Sequence, residues 1–105
     1  MNMLKVDTIV KPFKFETIIK ILKEADVKDI SFYEIKGYGR QKGYIKEIID
    51  TSALTIQFLP KISIEFYIEQ NKFESTIARL LKEIQTGTIG DGKIIVEKVD
   101  RFFVF

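Results

Sequence analysis

Cysteine and histidine are missing from the chain altogether, and proline occurs only twice. Without cysteine there is no disulfide scaffold, no thiolate metal site and no thiol nucleophile. Without histidine there is no imidazole triad and no His-containing metal cluster. Any chemistry must therefore rest on carboxylates, amides, hydroxyls, lysines and arginines. An excess of one charge is missing too. Seventeen Lys and Arg against fifteen Asp and Glu leave a net charge of +2, too little to argue for nucleic-acid binding on charge alone. No apolar run reaches the length of a membrane span, and Met1-Asn2-Met3-Leu4-Lys5-Val6-Asp7 lacks both the charged start and the apolar middle of a signal peptide. A cytoplasmic protein without membrane insertion is expected. What is present is 105 residues, 46% hydrophobic, 30% charged and 12% aromatic, the makeup of one globular domain spanning residues 1–105.

Residues 3–10 are rich in β-branched and apolar types and run up to Pro12, which cannot donate to a ladder, so they read as a strand. Over residues 14–25 the apolar Phe15, Ile18, Leu22 and Ala25 recur at three- and four-residue steps with lysines between them, predicting a helix that lies on a sheet. Residues 30–36 form a second β-prone run. Residues 62–68 alternate strictly, Ile62, Ile64, Phe66 and Ile68 against Ser63, Glu65 and Tyr67. Asn71, with Glu74 three residues on, predicts a capping box for a second helix whose buried stripe is Phe73, Ile77, Leu80, Leu81 and Ile84, with Thr86-Gly87 as its stop. A fourth strand follows over residues 93–99. The order β-α-β-β-α-β predicts an α+β fold, a ferredoxin-like sandwich with both helices on one face. That fold hosts enzymes, RNA binders and ligand sensors alike, so function must be argued from sites.

Three segments depart from a plain sandwich. Residues 37–57 make a connection far longer than the other joints, and its Tyr44, Ile45, Ile48, Ile49, Leu54 and Ile56 are unlike a passive linker. Its ends read as an extension of the flanking strands and its tip as an arm that meets a partner through apolar side chains. Its opening, Gly37-Tyr38-Gly39-Arg40-Gln41-Lys42-Gly43, joins close backbone approach at the glycines to cationic donors at Arg40 and Lys42 and a metal-competent amide at Gln41, a cradle for phosphate or carboxylate. A second Gly-rich turn, Gly87-Thr88-Ile89-Gly90-Asp91-Gly92-Lys93, offers an anion nest with a lysine at its exit. Either turn taken singly is weak evidence. Together, in a chain without cysteine or histidine, they favour a nucleotide sensor over an enzyme. A small nucleotide hydrolase using Asp91 to orient water is the enzymatic alternative. An RNA-binding module is disfavoured because Ser63 and Glu65 stand on the strand face where that class places aromatics.

Ile9-Val10-Lys11-Pro12-Phe13-Lys14, Glu34-Ile35-Lys36-Gly37-Tyr38-Gly39-Arg40-Gln41-Lys42-Gly43, Phe58-Leu59-Pro60-Lys61 and Ile89-Gly90-Asp91-Gly92-Lys93-Ile94 occur in that order along nearly the whole chain. In these motifs the sequence resembles the PII signal-transduction family of nitrogen regulation. The resemblance implies a homotrimer with ATP or ADP bound in clefts between subunits, Mg²⁺ accompanying ATP, and 2-oxoglutarate beside them. It also implies that residues 37–57, the family's T-loop, engage a target such as an ammonium transporter or a nitrogen-metabolism enzyme. By the same resemblance, Ser31, Gly39, Arg40, Gln41, Glu65, Tyr67, Gly90, Asp91, Gly92 and Lys93 fall on nucleotide-contacting positions, Glu65 near the adenine edge and Lys93 near the phosphates. Gln41 would be the Mg²⁺ ligand, and Lys11, Gln41, Lys42, Gly43 and Lys61 would surround 2-oxoglutarate.

The chain diverges from the family in its loop and its tail. Where the family carries two phosphate-binding arginines, residues 102–105 read Phe-Phe-Val-Phe, and Arg101 aligns with a different, earlier arginine. Thr88 replaces a common lysine. Ala53-Leu54 fall where a modified tyrosine is usual, and Lys46 is the cation of the loop's middle where several members carry an arginine. These differences raise a second expectation: a PII-like sensor of ADP, AMP or another nucleotide, insensitive to 2-oxoglutarate, with a dedicated partner that is not a transporter. The apolar tail is expected to pack.

Overall fold

Alternation at every second residue makes the first strand, β1 (Met3–Val10), two-faced: Leu4, Val6, Thr8 and Val10 are buried while Met3, Lys5, Asp7 and Ile9 are half-buried on the other side. The structure is a computed structural model that describes residues 2–37, 59–85, 87 and 92–105. After β1, Pro12 opens a single 3-10 turn (Pro12–Lys14), where its fixed φ suits a first helical position. The helix α1 (Phe15–Glu24) follows, then β2 (Ile30–Gly37), β3 (Leu59–Glu69), α2 (Gln70–Ile84) and β4 (Gly92–Lys98). The sheet order is β2-β3-β1-β4, with every neighbouring pair antiparallel. Strand β1 therefore runs parallel to β2 with β3 inserted between them, the split β-α-β of a ferredoxin-like sandwich. The fold expected from the residue pattern is the one observed.

Both helices cover one face. Ile18, Ile21 and Leu22 of α1 and Thr76, Leu80 and Ile84 of α2 are buried against Leu4, Val6, Val10, Ile64, Phe66 and Ile68 of the sheet. The two helices are also joined across their exposed sides. Arg79 Nη2 donates to Glu24 Oε2 at 2.6 Å, and Lys14 Nζ donates to the Glu83 carbonyl at 2.6 Å, satisfying a last-turn acceptor of α2 with a cation.

Helix α1 ends in a Schellman turn. The Val27 N–H reaches the Leu22 carbonyl and the Asp26 N–H the Lys23 carbonyl, both at 3.0 Å, with Asp26 at φ 59 in the left-handed region that glycine usually fills. Val27 and Leu22 are both buried, the apolar contact that accompanies this motif.

The second helix starts differently from the expected capping box. Its N-cap is Glu69, with no side-chain cap bond, and Asn71 lies inside the first turn. The cause is the sheet: β3 stays paired to β1 as far as Met3↔Glu69, and the Gln70 N–H then donates to the Asn2 carbonyl at 2.9 Å, so the strand passes into the helix without a loop. Leu81, expected in the buried stripe, is 38% exposed. Strand β3 is longer than 62–68 at both ends and includes Pro60. Pairing to β1 stops at Val10↔Ile62, so at Pro60 the strand has β2 alone as partner and no ladder donor is lost on the other side. Strand β4 begins at Gly92 and ends at Lys98, one residue earlier at each end than expected.

Candidate functional site

The face of the sheet away from the helices carries the polar residues. The strand pairings set them in rows across the sheet from β4 to β2: Lys93, Ile9, Ser63, Tyr33; then Ile95, Asp7, Glu65, Ser31; then Glu97, Lys5, Tyr67. Glu65 and Ser31, both expected at a nucleotide, are direct register partners, and Tyr67 follows Glu65 on the same face of β3. Glu65 Oε1 is held at 2.8 Å by Lys5 Nζ, a diagonal pair. That hydrogen bond and the Glu65 charge raise the Lys5 pKa. Across the ladder, Asp7 is pushed above the ordinary carboxylate value, first by burial and then by the Glu65 charge beside it. Asp7 is thus the expensive member of the row, and Lys5 partly offsets it.

The lysines gather at one end. Lys11 follows Val10 and Lys61 precedes Ile62, a paired position, so both emerge at the same end of the sheet. Lys93 emerges there too, paired with Ile9. Gly92, just before it, sits at φ 152, and a Cβ there would lie 2.6 Å from the Ile9 carbonyl oxygen. A glycine is therefore required for β4 to close onto β1 and deliver Lys93 to this end. Clustered ammonium groups at the ends of three strands suit a phosphate or carboxylate ligand.

Within one chain these residues do not form one pocket. Lys93 stands on β4 at one edge of the sheet and Ser31 on β2 at the other, three strand spacings apart, about 14 Å at ~4.8 Å per spacing. Lys11 and Lys61 come together, Ser31, Glu65 and Tyr67 come together, and Lys93 and Ser31 are kept apart. Gly39, Arg40, Gln41, Lys42, Gly43, Gly90 and Asp91 lie outside the described residues, as does the T-loop beyond Gly37 as far as residue 57.

Residue patterns alone missed one feature. Where β3 runs into α2, the Schellman turn and the C-terminal tail enclose a cleft of about 240 Å³ lined by Asp26, Lys28, Asp29, Tyr67, Lys72 and Phe102, among others. The tail is led there by the Val99 N–H, which donates to the Met3 carbonyl at 3.1 Å. The Phe102 ring then meets Tyr67 with centroids 5.4 Å apart and planes tilted by 46°. Beyond it Phe103, Val104 and Phe105 are exposed, and Arg101 lies over the Phe103 ring at 5.8 Å. An apolar residue after Asp100-Arg101 was the available signal. It could not say which surface the ring would reach. Among the described residues no helix is long and apolar enough to cross a membrane, and no group of three or more metal-ligating side chains occurs.

Comparison with known proteins gives the family. Residues 3–105 match the family model described as nitrogen regulatory protein P-II. The P-II protein of Mesorhizobium japonicum is 40% identical over 98 residues, covering 93% of this chain and 87% of that one. P-II 1 of Escherichia coli K12 is 37% identical over 99 residues, covering 94% and 88%. A solved structure of the B. subtilis GlnK–ATP complex superposes with a TM-score of 0.70 at 24% identity, covering 93% of this chain and 82% of that one, which is a likeness of fold. The chain belongs to the nitrogen regulatory protein P-II family, a family of signal-transduction regulators and not of enzymes.

Proposed function

We propose that this protein is a cytoplasmic, homotrimeric sensor that binds ATP or ADP between subunits and passes its state to a nitrogen-metabolism target through the T-loop, residues 37–57 of one 1–105 domain. The observation that carries this reading is the separation of Lys93, on the β4 edge, from Ser31 on the β2 edge at the other side of one sheet, with Glu65 and Tyr67 on β3 beside β2. Residue types suited to one nucleotide are split between two edges, and a second copy laid edge to edge brings the two halves together. Lys93 and the turn Gly90-Asp91-Gly92 then face the phosphates, and Ser31, Glu65 and Tyr67 the nucleoside. Gln41 serves Mg²⁺, and Lys11, Lys42, Gly43 and Lys61 serve 2-oxoglutarate. Gly39, Arg40 and Gln41 belong both to the ligand site and to the root of the loop. A ligand that contacts them differently in two loop states shifts the population between those states.

The tail favours a second reading. Residues 102–105 bring no cation toward a polyphosphate, and each charge-assisted bond missing at the γ-phosphate weakens ATP by about 1–3 kcal/mol relative to ADP or AMP. Under this reading the protein senses ADP or AMP, ignores 2-oxoglutarate and serves a dedicated partner other than a transporter. Calorimetric titration with ATP, ADP and AMP, each with Mg²⁺ and with or without 2-oxoglutarate, tests both. Binding of 2-oxoglutarate only in the presence of Mg-ATP supports the first. Preference for ADP or AMP with no 2-oxoglutarate heat supports the second, and no nucleotide binding at all contradicts both.

A further inference from the structure

We propose that Phe102, backed by Tyr67, is the stacking wall for the base of the bound nucleotide and so sets the preference of this site for a planar ring. The inference rests on the nucleotide-binding reading above and names a residue which that reading does not use. Three observations carry it. The first is size: the cleft beside the two rings holds about 240 Å³, below the roughly 300–1,000 Å³ of a pocket for a whole drug-sized ligand. It suits one ring system with the sugar and phosphates outside.

The second is composition. One wall is aromatic, with Phe102 tilted against Tyr67, and the rest of the lining includes the carboxylates of Asp26 and Asp29 and the ammonium groups of Lys28 and Lys72. Carboxylates accept from an exocyclic amino group, and a π face takes any flat base. The third is continuity. Tyr67 lies on the same face of β3 as Glu65, whose register partner is Ser31. A base stacked on Phe102 therefore lies at the end of the row of residues already assigned to the nucleoside, next to Tyr67 and within reach of Glu65 at its edge. Phe102 is half-buried here while Phe103, Val104 and Phe105 stay exposed, so this one ring of the tail is committed to the cleft.

The test uses the full chain as wild type and as Phe102→Leu, Phe102→Tyr and Phe102→Ala, each titrated with ADP and with inorganic tripolyphosphate, which has phosphates and no base. Thermal melts confirm that each variant is folded. Loss of a base–aromatic stack weakens binding roughly 5- to 150-fold. The expected result is an ADP affinity lowered by that factor in Phe102→Leu and Phe102→Ala, restored in Phe102→Tyr, with tripolyphosphate unchanged throughout. An ADP affinity that is unchanged in Phe102→Leu overturns the proposal, and one that rises shows the ring to be a plug displaced by ligand, which also overturns it. If the wild type binds tripolyphosphate and ADP equally well, no base is being read and the proposal fails while anion binding stands. If the wild type binds no adenine nucleotide, the nucleotide reading itself fails, and the proposal with it.

Discussion

The two faces of the sheet share one backbone and differ in nearly everything else. On the helix side Leu4, Val6, Val10, Ile64, Phe66 and Ile68 close a dry core. On the open side Lys5, Asp7, Glu65 and Tyr67 leave a half-buried polar stripe with a lysine-rich end and an aromatic end. The first face contributes stability and tolerates no charge. The second gives up some stability to hold half-buried charges, Asp7 above all. Each face also contains one residue at odds with its surroundings: Thr8, a hydroxyl buried in the core, and Asp7, a carboxylate half-buried beside Glu65 on the stripe.

The largest effects come from breaking the core face. Phe66→Ala, at a side chain 1% exposed, is expected to lower unfolding free energy by about 3–5 kcal/mol in urea titrations. Next comes the edge that joins the two faces. Gly92→Ala forces a Cβ to 2.6 Å from the Ile9 carbonyl oxygen, so a loss of roughly 1–3 kcal/mol is expected, with faster amide exchange along β4. An unchanged melting temperature would show that β4 is not held as described.

Smaller changes sharpen the contrast. The Thr8 hydroxyl is fully buried and finds no hydrogen-bond partner among the described residues. Thr8→Val should therefore raise stability by about 1 kcal/mol, whereas a loss would mean that the hydroxyl is satisfied. Asp7 gives the subtlest signal. Its folded pKa lies above the ordinary carboxylate value, so between the two values the folded state binds more protons than the unfolded one. Stability therefore falls as pH rises through that window. Asp7→Asn removes this slope, leaving the variant more stable than the wild type above the window and equal to it below. Urea midpoints measured at steps across the acid range read the difference directly.

The helix-side face was legible in the sequence because burial imposes a period. The alternation in β1 and β3 and the stripe in α1 follow from which positions must avoid water. Boundaries shifted where a distant strand intervened. Asn71 lost its capping role because Asn2 holds Gln70, and Leu81 left the buried stripe although its spacing fits. The same alternation put Ser63, Glu65 and Tyr67 on the open face but said nothing of their role. Lys61 and Lys93 stood out through motifs and Ser31, Glu65 and Tyr67 through the family resemblance alone, and the register then showed that Ser31 and Glu65 adjoin while Lys93 is at the far edge. Phe102 was invisible as a site residue because nothing local in residues 99–102 says that the tail turns toward Tyr67.

The central claim is that neither edge of the sheet holds a complete site and that two copies do. Lys93→Ala and Glu65→Ala variants, each impaired in ADP binding alone, should be unfolded together at equal amounts, refolded and titrated. If the site forms between the β4 edge of one copy and the β2–β3 edge of the next, about a quarter of the junctions in the mixture pair two intact edges, and about that fraction of wild-type binding returns. If no binding returns, each chain carries its whole site, and the account of two completing edges is wrong.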